Sequence, residues 1–107
     1  MLNMPESLAA YFDLAPDATV AELSAAFTDD AVVSDEARRH RGILAIRDWR
    51  AETMERTPFT ARPLSVEQLD DVLVVPAEVT GSFPGSPLTL THRFVLRDGR
   101  IATLEIG

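Results

Sequence analysis

The sequence contains no cysteine, which excludes disulfide bonds, thiolate catalysis and cysteine-ligated metal centres. Basic residues are also scarce, with ten Lys and Arg against seventeen Asp and Glu and a formal net charge of -7. Because phosphate backbones and anionic membranes both require a basic surface, we expect no nucleic-acid partner and no membrane partner. No apolar run approaches the ~20 residues that a membrane-spanning helix needs.

Several functional signatures are missing as well. The two histidines, His40 and His92, are too few and lack the helical spacing of a metal site, so we expect no metal and no other cofactor. There is no phosphate-binding loop, no dinucleotide fingerprint and no serine-hydrolase elbow. The N-terminus has no basic start and carries Glu6 and Asp13 early, unlike a signal peptide. The expectation is therefore a cytoplasmic protein.

What the sequence does contain is enough apolar material, 46% of 107 residues, for one core in a single domain, residues 1–107. Pro5 and Glu6 predict the start of a first helix, and Thr19 with Glu22 predicts a capping box for a second. A third helix is predicted over Ile43–Arg56. Its apolar stripe is Ile43, Ile46, Trp49 and Met54, and its exposed side is Arg47, Arg50, Glu52 and Glu55.

The remaining segments predict strands. A short strand is predicted over Ala31–Glu36, after a helix that ends at Asp29-Asp30, and Ala37–His40 is a turn or the start of a partner strand. A period of two then predicts strands over Val72–Phe83, Leu88–Leu96 and Arg100–Ile106. Asp98-Gly99 is a strong hairpin signal, Pro63 predicts an edge or a bulge, and Pro76 predicts a bulge. Helices followed by an antiparallel meander predict an α+β fold, with helices on one face of a curved sheet.

This order of elements resembles the nuclear transport factor 2-like superfamily, which includes SnoaL-like polyketide cyclases and ketosteroid isomerases. The motifs that carry the resemblance are Phe27-Thr28-Asp29-Asp30-Ala31-Val32-Val33-Ser34-Asp35, Arg41-Gly42, Ala45-Ile46-Arg47-Asp48-Trp49 and the hairpin from Phe94 to Ile101. The resemblance implies a cystatin-like α+β barrel, in which a curved antiparallel sheet forms a cone around three helices. It further implies a pocket at the wide end and a homodimer formed through the sheet.

The resemblance also implies catalytic roles. In ketosteroid isomerases an aspartate on the first strand is the general base, and a tyrosine and a second acid hold the enolate oxygen. Asp35 matches the base and Tyr11 the tyrosine, whereas His92 lies near the position of the second acid. Replacing that acid by histidine departs from the isomerase pattern, so the family's reaction does not transfer directly.

Each candidate has a structural alternative. Asp35 either takes part in proton transfer, or caps a turn, or pairs with Arg38 or Arg41. His92 is either a proton shuttle or ligand donor, or a core histidine bonded to a neighbour. Tyr11 either directs its hydroxyl into the pocket or leaves it in solvent. The basic run from Arg38 to Arg41 either recognises a substrate carboxylate or enolate or forms a solvated loop. Strand alternation places only some of these side chains outside, so His40 can still turn inward.

The remaining pocket candidates are aromatic: Trp49, Phe83 and Phe94 are expected to line the pocket together with His40. Two functions are compatible with these residues. One is an isomerase, cyclase or dehydratase that transfers a proton on a small apolar carbonyl compound, and the other is a non-catalytic module that binds a small ligand or a partner protein. The first requires Asp35 and His92 to face one cavity.

Overall fold

The computed structural model describes residues 3–107. Its elements follow in the order α1 (Glu6–Phe12), α2 (Val20–Ala26), β1 (Phe27–Asp35), β2 (Arg38–Arg41), α3 (Ile43–Arg56), β3 (Phe59–Pro63), β4 (Glu67–Leu69), β5 (Val72–Gly81), β6 (Leu88–Arg97) and β7 (Arg100–Ile106). The predicted bounds of α3 and of the last strand are confirmed. So is the capping box, in which the Thr19 side chain accepts from the Glu22 backbone N–H and Glu22 accepts in return.

The first strand differs from the prediction at its start. It begins at Phe27, directly after α2, because Phe27 already pairs with Ile101 of β7. Asp29 and Asp30, expected to end a helix, instead lie where the register with β7 shifts between Phe27 and Val32. Asp30 is held there by Thr28 and by Arg97. A bulged strand thus accommodates two exposed acids that sequence alone assigns to a helix end.

The strands form one curved, unclosed sheet in the order β2-β1-β7-β6-β5-β3, with β4 beside β5. The predicted α+β cone around three helices is confirmed. The sheet is mixed rather than purely antiparallel, because β1 runs parallel to β7. This pairing lays the first strand beside the last and so brings the end of β1 into the neighbourhood of β6.

Pro63 and Pro76 lie where the edge of the sheet passes from β3 to β4. β3 and β4 both pair with β5, and the chain between them is interrupted opposite Pro76. A proline cannot donate to a neighbouring strand, so it fits where the partner changes. The backbone N–H of Leu64 donates to the Pro76 carbonyl across this gap. Pro63 ends β3 at the edge, as predicted. The bulge predicted at Pro76 is wrong, because Pro76 pairs with Thr91 in an unbroken register with β6.

The core lies between the helices and the concave face of the sheet. Its largest fully buried side chains are Phe27, Phe94, Leu8, Leu23, Ile46, Ile101, Leu104, Val33 and Val75. Each buried side chain of this size stabilises the fold by about 1.5–3 kcal/mol. Among residues 3–107, no helix is long and apolar enough to cross a bilayer.

A tight connection sets the position of Asp35. Asp35 pairs with Arg38, so the hairpin between β1 and β2 has only Glu36 and Ala37 in its loop, both at positive φ. Two such residues correspond to a type I′ turn, which matches the twist of the flanking strands. Gly42 follows β2 with φ 89° and ψ 161°, a conformation open essentially to glycine alone, and starts α3. Strand, hairpin and helix therefore bring Asp35 and α3 together.

Candidate functional site

One cavity of ≈ 300 Å³ lies between the end of β1, helix α3 and the strands β5 and β6. Five of the residues expected at the site line it: Tyr11, Asp35, Trp49, Phe83 and His92. Its other walls expose mainly apolar surface from Phe59, Val79, Leu88, Leu90 and Ile106, and its polar part comes from Glu36, Thr53, Arg56 and Thr57. Asp35 and His92 therefore share one hollow, which is the arrangement that the enzyme hypothesis requires.

Asp35 reaches this cavity because strand alternation places it on the side of Ala31 and Val33, both fully buried. The half-buried carboxylate accepts a hydrogen bond from the indole Nε1 of Trp49, with Oδ2 3.2 Å away. No ion pair among residues 3–107 includes Asp35. The alternative in which an arginine neutralises this carboxylate is thus absent from the described part of the chain.

His92 is held from β6 with only 3% of its surface exposed. Its Nδ1 lies 3.2 Å from the carbonyl oxygen of Leu90. A carbonyl can only accept, so Nδ1 carries the hydrogen, and Nε2 of the neutral ring is an acceptor. Burial lowers the pKa of His92 below its usual value, although the Leu90 carbonyl opposes this by favouring the imidazolium. The neutral ring thus offers a basic nitrogen rather than a donor.

Tyr11 provides the donor. It extends from α1, is 7% exposed and packs against Phe27, Phe94 and His92 at ring-centroid distances of 5.9, 5.7 and 6.2 Å. Burial raises the pKa of its hydroxyl to about 12, with Arg50 lowering it and Asp35 raising it. The phenol therefore stays protonated at neutral pH and can donate to an oxygen that gains negative charge.

Two expected lining residues lie elsewhere. Phe94 is fully buried, stacked with His92 at 6.2 Å, and packs behind the cavity wall, so it supports His92 instead of meeting a ligand. Phe94 is thus on the same face of β6 as His92, as strand alternation predicts, but it belongs to the core and does not line the cavity. His40 stacks on Trp49 at 5.7 Å and lines a small cleft that adjoins the main cavity and shares Asp35 and Trp49 with it. Within residues 3–107, no three His, Asp or Glu side chains gather as metal ligands.

The basic run around His40 is mostly solvated. Arg38, Arg39 and Arg41 are exposed on β2, and His40 is partly buried although Arg38, on the same face of the strand, is not. Arg38 lines the small cleft and does not line the main cavity. The structure therefore places these arginines at the border of the sheet.

Sequence reasoning missed Arg50, which was expected on the exposed side of α3. Its side chain is buried, with 7% of the residue exposed. Nη2 donates to the carbonyls of Leu14 and Ala15 at 3.3 and 3.2 Å, and the guanidinium lies 5.8 Å from the centre of the Tyr11 ring. A signal was available, because Arg50 follows Ile46 by one helical turn and so continues the buried stripe.

The site can therefore perform a limited chemistry. Asp35 and neutral His92 are two proton acceptors at one apolar cavity, and Tyr11 is a protonated donor beside them. Such groups can take a proton from carbon or oxygen and stabilise the resulting oxyanion.

Comparisons with known proteins agree with this architecture. A protein of Sinorhizobium meliloti, provisionally named a polyketide cyclase, is 43% identical with a TM-score of 0.87, over 97% of this chain and 95% of its own. A protein of Catenulispora acidiphila with a ketosteroid isomerase-like fold, solved with trimethylamine, is 19% identical with a TM-score of 0.79, over 98% of this chain and 86% of its own. A cystatin-fold protein of Novosphingobium aromaticivorans is 19% identical with a TM-score of 0.72, over 98% of this chain and 99% of its own.

At 19% identity the last two relatives support the fold alone. A comparison with curated protein sequences found no significant match. The model of the SnoaL-like domain family matches residues 8–104, which span α1 to β7. With nearly the whole chain matched, and with a relative at 43% identity, this protein belongs to the SnoaL-like domain family.

Proposed function

We propose that this protein is a cofactor-independent enzyme that transfers a proton on a small apolar carbonyl compound, as an isomerase, cyclase or dehydratase. The observation that carries the proposal is that Asp35 and His92 line the same apolar cavity. Its ≈ 300 Å³ lies at the low end of the range for small-molecule sites, roughly 300–1,000 Å³, so the substrate is small. The name of the Sinorhizobium meliloti relative, polyketide cyclase, is compatible with a carbonyl substrate.

The first step assigned to Asp35 is removal of a proton from the carbon next to the carbonyl. The electrons of the broken C–H bond form the enolate double bond, and the carbonyl oxygen takes the negative charge. Tyr11 donates a hydrogen bond to that oxygen as the charge develops. In a substrate with a β,γ double bond the enolate is a dienolate, and return of the proton from Asp35 to its γ-carbon isomerises it. Attack of the enolate carbon on a second carbonyl cyclises the substrate, and the proton held by Asp35 passes to the resulting alkoxide. Dehydration expels a β-hydroxyl, which takes the same proton and leaves as water.

His92 has a different role from the donor role suggested by family resemblance. Because Nδ1 donates to the Leu90 carbonyl, the neutral ring presents Nε2 as an acceptor. In the proposed mechanism it binds a substrate hydroxyl, and it can take that proton as a second base. Tyr11 then remains the group that steadies the enolate oxygen.

The proposal is tested by hydrogen–deuterium exchange at the α-carbon of 1-tetralone in D₂O, followed by NMR. This assay detects proton abstraction without knowledge of the natural substrate. We expect the protein to catalyse the exchange, and Asp35→Asn to slow it by about 10²–10⁴-fold, the usual contribution of a general base. Asp48→Asn, which alters an exposed carboxylate of α3, is the matched control and should keep the wild-type rate.

The second function, a non-catalytic binding module, gives a different result in the same experiment. It predicts that 1-tetralone shifts the resonances of cavity residues while neither wild type nor Asp35→Asn accelerates exchange. An unchanged exchange rate in Asp35→Asn would also remove Asp35 from the mechanism.

We also propose a homodimer formed through the outer face of the sheet. On β5 and β6 the side chains opposite the core include Val74, Pro76 and Val95, all partly covered within one chain. The same face also carries Glu78, Thr91 and Arg93, so the proposed contact combines apolar and charged side chains. Light scattering of the purified protein measures the mass directly, and a monomer at micromolar concentration would contradict the proposal.

A further inference from the structure

Arg50 is a buried cation that pairs with no carboxylate of residues 3–107. Only 7% of the residue is exposed, and none of the ion pairs among residues 3–107 includes it. Removing a charge from water is costly unless an opposite charge or several hydrogen bonds replace the water. Two carbonyls, those of Leu14 and Ala15, provide part of this compensation through Nη2.

The other N–H donors of the guanidinium have no such hydrogen bonds to carbonyl groups. Arginine has five N–H donors, and the two bonds to carbonyls both come from Nη2. Among residues 3–107, Nε is buried without a hydrogen-bond partner. Nη1 donates to no group of these residues either, but it is not a buried atom and so faces space that a ligand can reach. A purely structural clamp between α3 and the end of α1 would use Nη2 alone, so it does not account for the remaining donors.

A second cavity of ≈ 200 Å³ opens beside this guanidinium. It lies on the other side of Tyr11 and Phe59, which line both cavities. Apart from Arg50 and Thr60 its walls are apolar or aromatic: Tyr11, Phe12, Leu14, Pro16, Met54, Phe59 and Ala61. One buried positive group in an apolar enclosure fits a ligand with one negative group and an apolar body.

We propose that this second cavity binds a small monocarboxylate, whose carboxylate pairs with Arg50 while its apolar part contacts Leu14 and Met54. A guanidinium is planar and matches a carboxylate better than other cations do. One arginine balances a single negative charge, and a multiply charged phosphate would need further cations that this cavity lacks. The site is separate from Asp35 and His92, and the inference does not depend on the proposed reaction.

The test is an NMR titration of the ¹⁵N-labelled protein with benzoate, and in parallel with benzamide, at constant ionic strength. Benzamide has the same shape but no charge. We expect saturable shifts at the backbone amides of Thr60 and Ala61 and at Arg50 Nε–H. We expect benzamide to bind at least about tenfold more weakly, because a charge-assisted hydrogen bond is roughly twice as strong as a neutral one.

Two variants locate the site. Ala61→Leu fills the second cavity without altering Arg50 and should abolish the benzoate shifts. Arg50→Gln should remove the preference for benzoate over benzamide; if this variant fails to fold, Ala61→Leu carries the test alone. Leu88→Phe, which partly fills the first cavity, should leave benzoate binding unchanged.

Three results would overturn the proposal: equal affinity for benzoate and benzamide, shifts centred on Leu90 and His92, or benzoate binding that survives Ala61→Leu. None of these results bears on exchange at the α-carbon of 1-tetralone. Failure of the second site and failure of the proposed enzyme are therefore distinguished by separate measurements.

Discussion

Trp49 Nε1 donates a hydrogen bond to Asp35 Oδ2 over 3.2 Å, joining the middle of α3 to the last residue of β1. The contact fixes the orientation of the carboxylate at the cavity wall and occupies only one of its two oxygens. The other oxygen is therefore available to a ligand. An indole donor orients the acid without neutralising its charge, which an arginine in the same place would do.

The first prediction concerns this pair. Trp49→Phe keeps an aromatic ring and removes the donor, so we expect the free energy of unfolding to fall by about 1 kcal/mol from the lost hydrogen bond, with some further loss from packing. A double-mutant cycle with Asp35→Ala, measured by urea denaturation, should isolate a coupling energy of at least ~0.5 kcal/mol. Strictly additive effects would show that the bond contributes nothing to stability.

The second prediction concerns the pH dependence of stability. Burial lowers the pKa of His92 in the folded protein, against the opposing effect of the Leu90 carbonyl, so the unfolded chain binds the proton more tightly. The contribution of neutral His92 to the free energy of unfolding is thus complete at pH values above about 6.5, the pKa of histidine in the unfolded chain. It is lost as the pH falls from there through the lowered folded pKa. The slope in this window is at most about 1.4 kcal/mol per pH unit.

Urea denaturation at a series of pH values checks this slope. His92→Gln should flatten the curve below about pH 6.5, the unfolded value of a histidine. His40→Gln, measured in parallel, separates any contribution of the second histidine. A wild-type slope that survives in His92→Gln would show that another group is responsible. In the same samples, ¹⁵N correlation spectra should show neutral His92 protonated at Nδ1.

The third prediction concerns the hairpin that positions Asp35. Ala37 has φ 63°, a left-handed conformation that costs an L-residue roughly 1–2 kcal/mol and costs glycine almost nothing. Ala37→Gly should therefore raise the free energy of unfolding by up to about 1 kcal/mol, after subtracting the greater freedom of glycine in the unfolded chain. Thermal or urea unfolding measures this change. Gly42→Ala, which places a side chain at φ 89°, is the opposite case and should destabilise the protein.

Local chemistry explains which features the sequence predicts well. The Thr19 capping box, the Asp98-Gly99 hairpin and the bounds of α3 depend on neighbouring residues, and each is found as predicted. The placement of Asp35 beside the cavity follows from alternation along one strand together with the family motif.

Features that depend on distant contacts were not predictable in the same way. The parallel pairing of β1 with β7 is set by tertiary packing. The burial of Arg50 depends on carbonyls that lie 35 and 36 positions earlier in the chain. The hydrogen on His92 Nδ1 follows from the position of the Leu90 carbonyl, which only coordinates supply. Arg50 was predicted to be exposed because it is charged, although its position on α3 is that of a buried residue.

The open borders of the sheet have a consequence for assembly. At one border β2 presents Arg38, Arg39 and Arg41, and at the other β3 carries Arg62 and ends in Pro63. If the β2 strands of two molecules added to each other, guanidinium groups would meet guanidinium groups, and a proline cannot extend the ladder from β3. Charge repulsion at β2 and the proline at β3 therefore disfavour edge-to-edge aggregation at both edge strands, although the sheet is open.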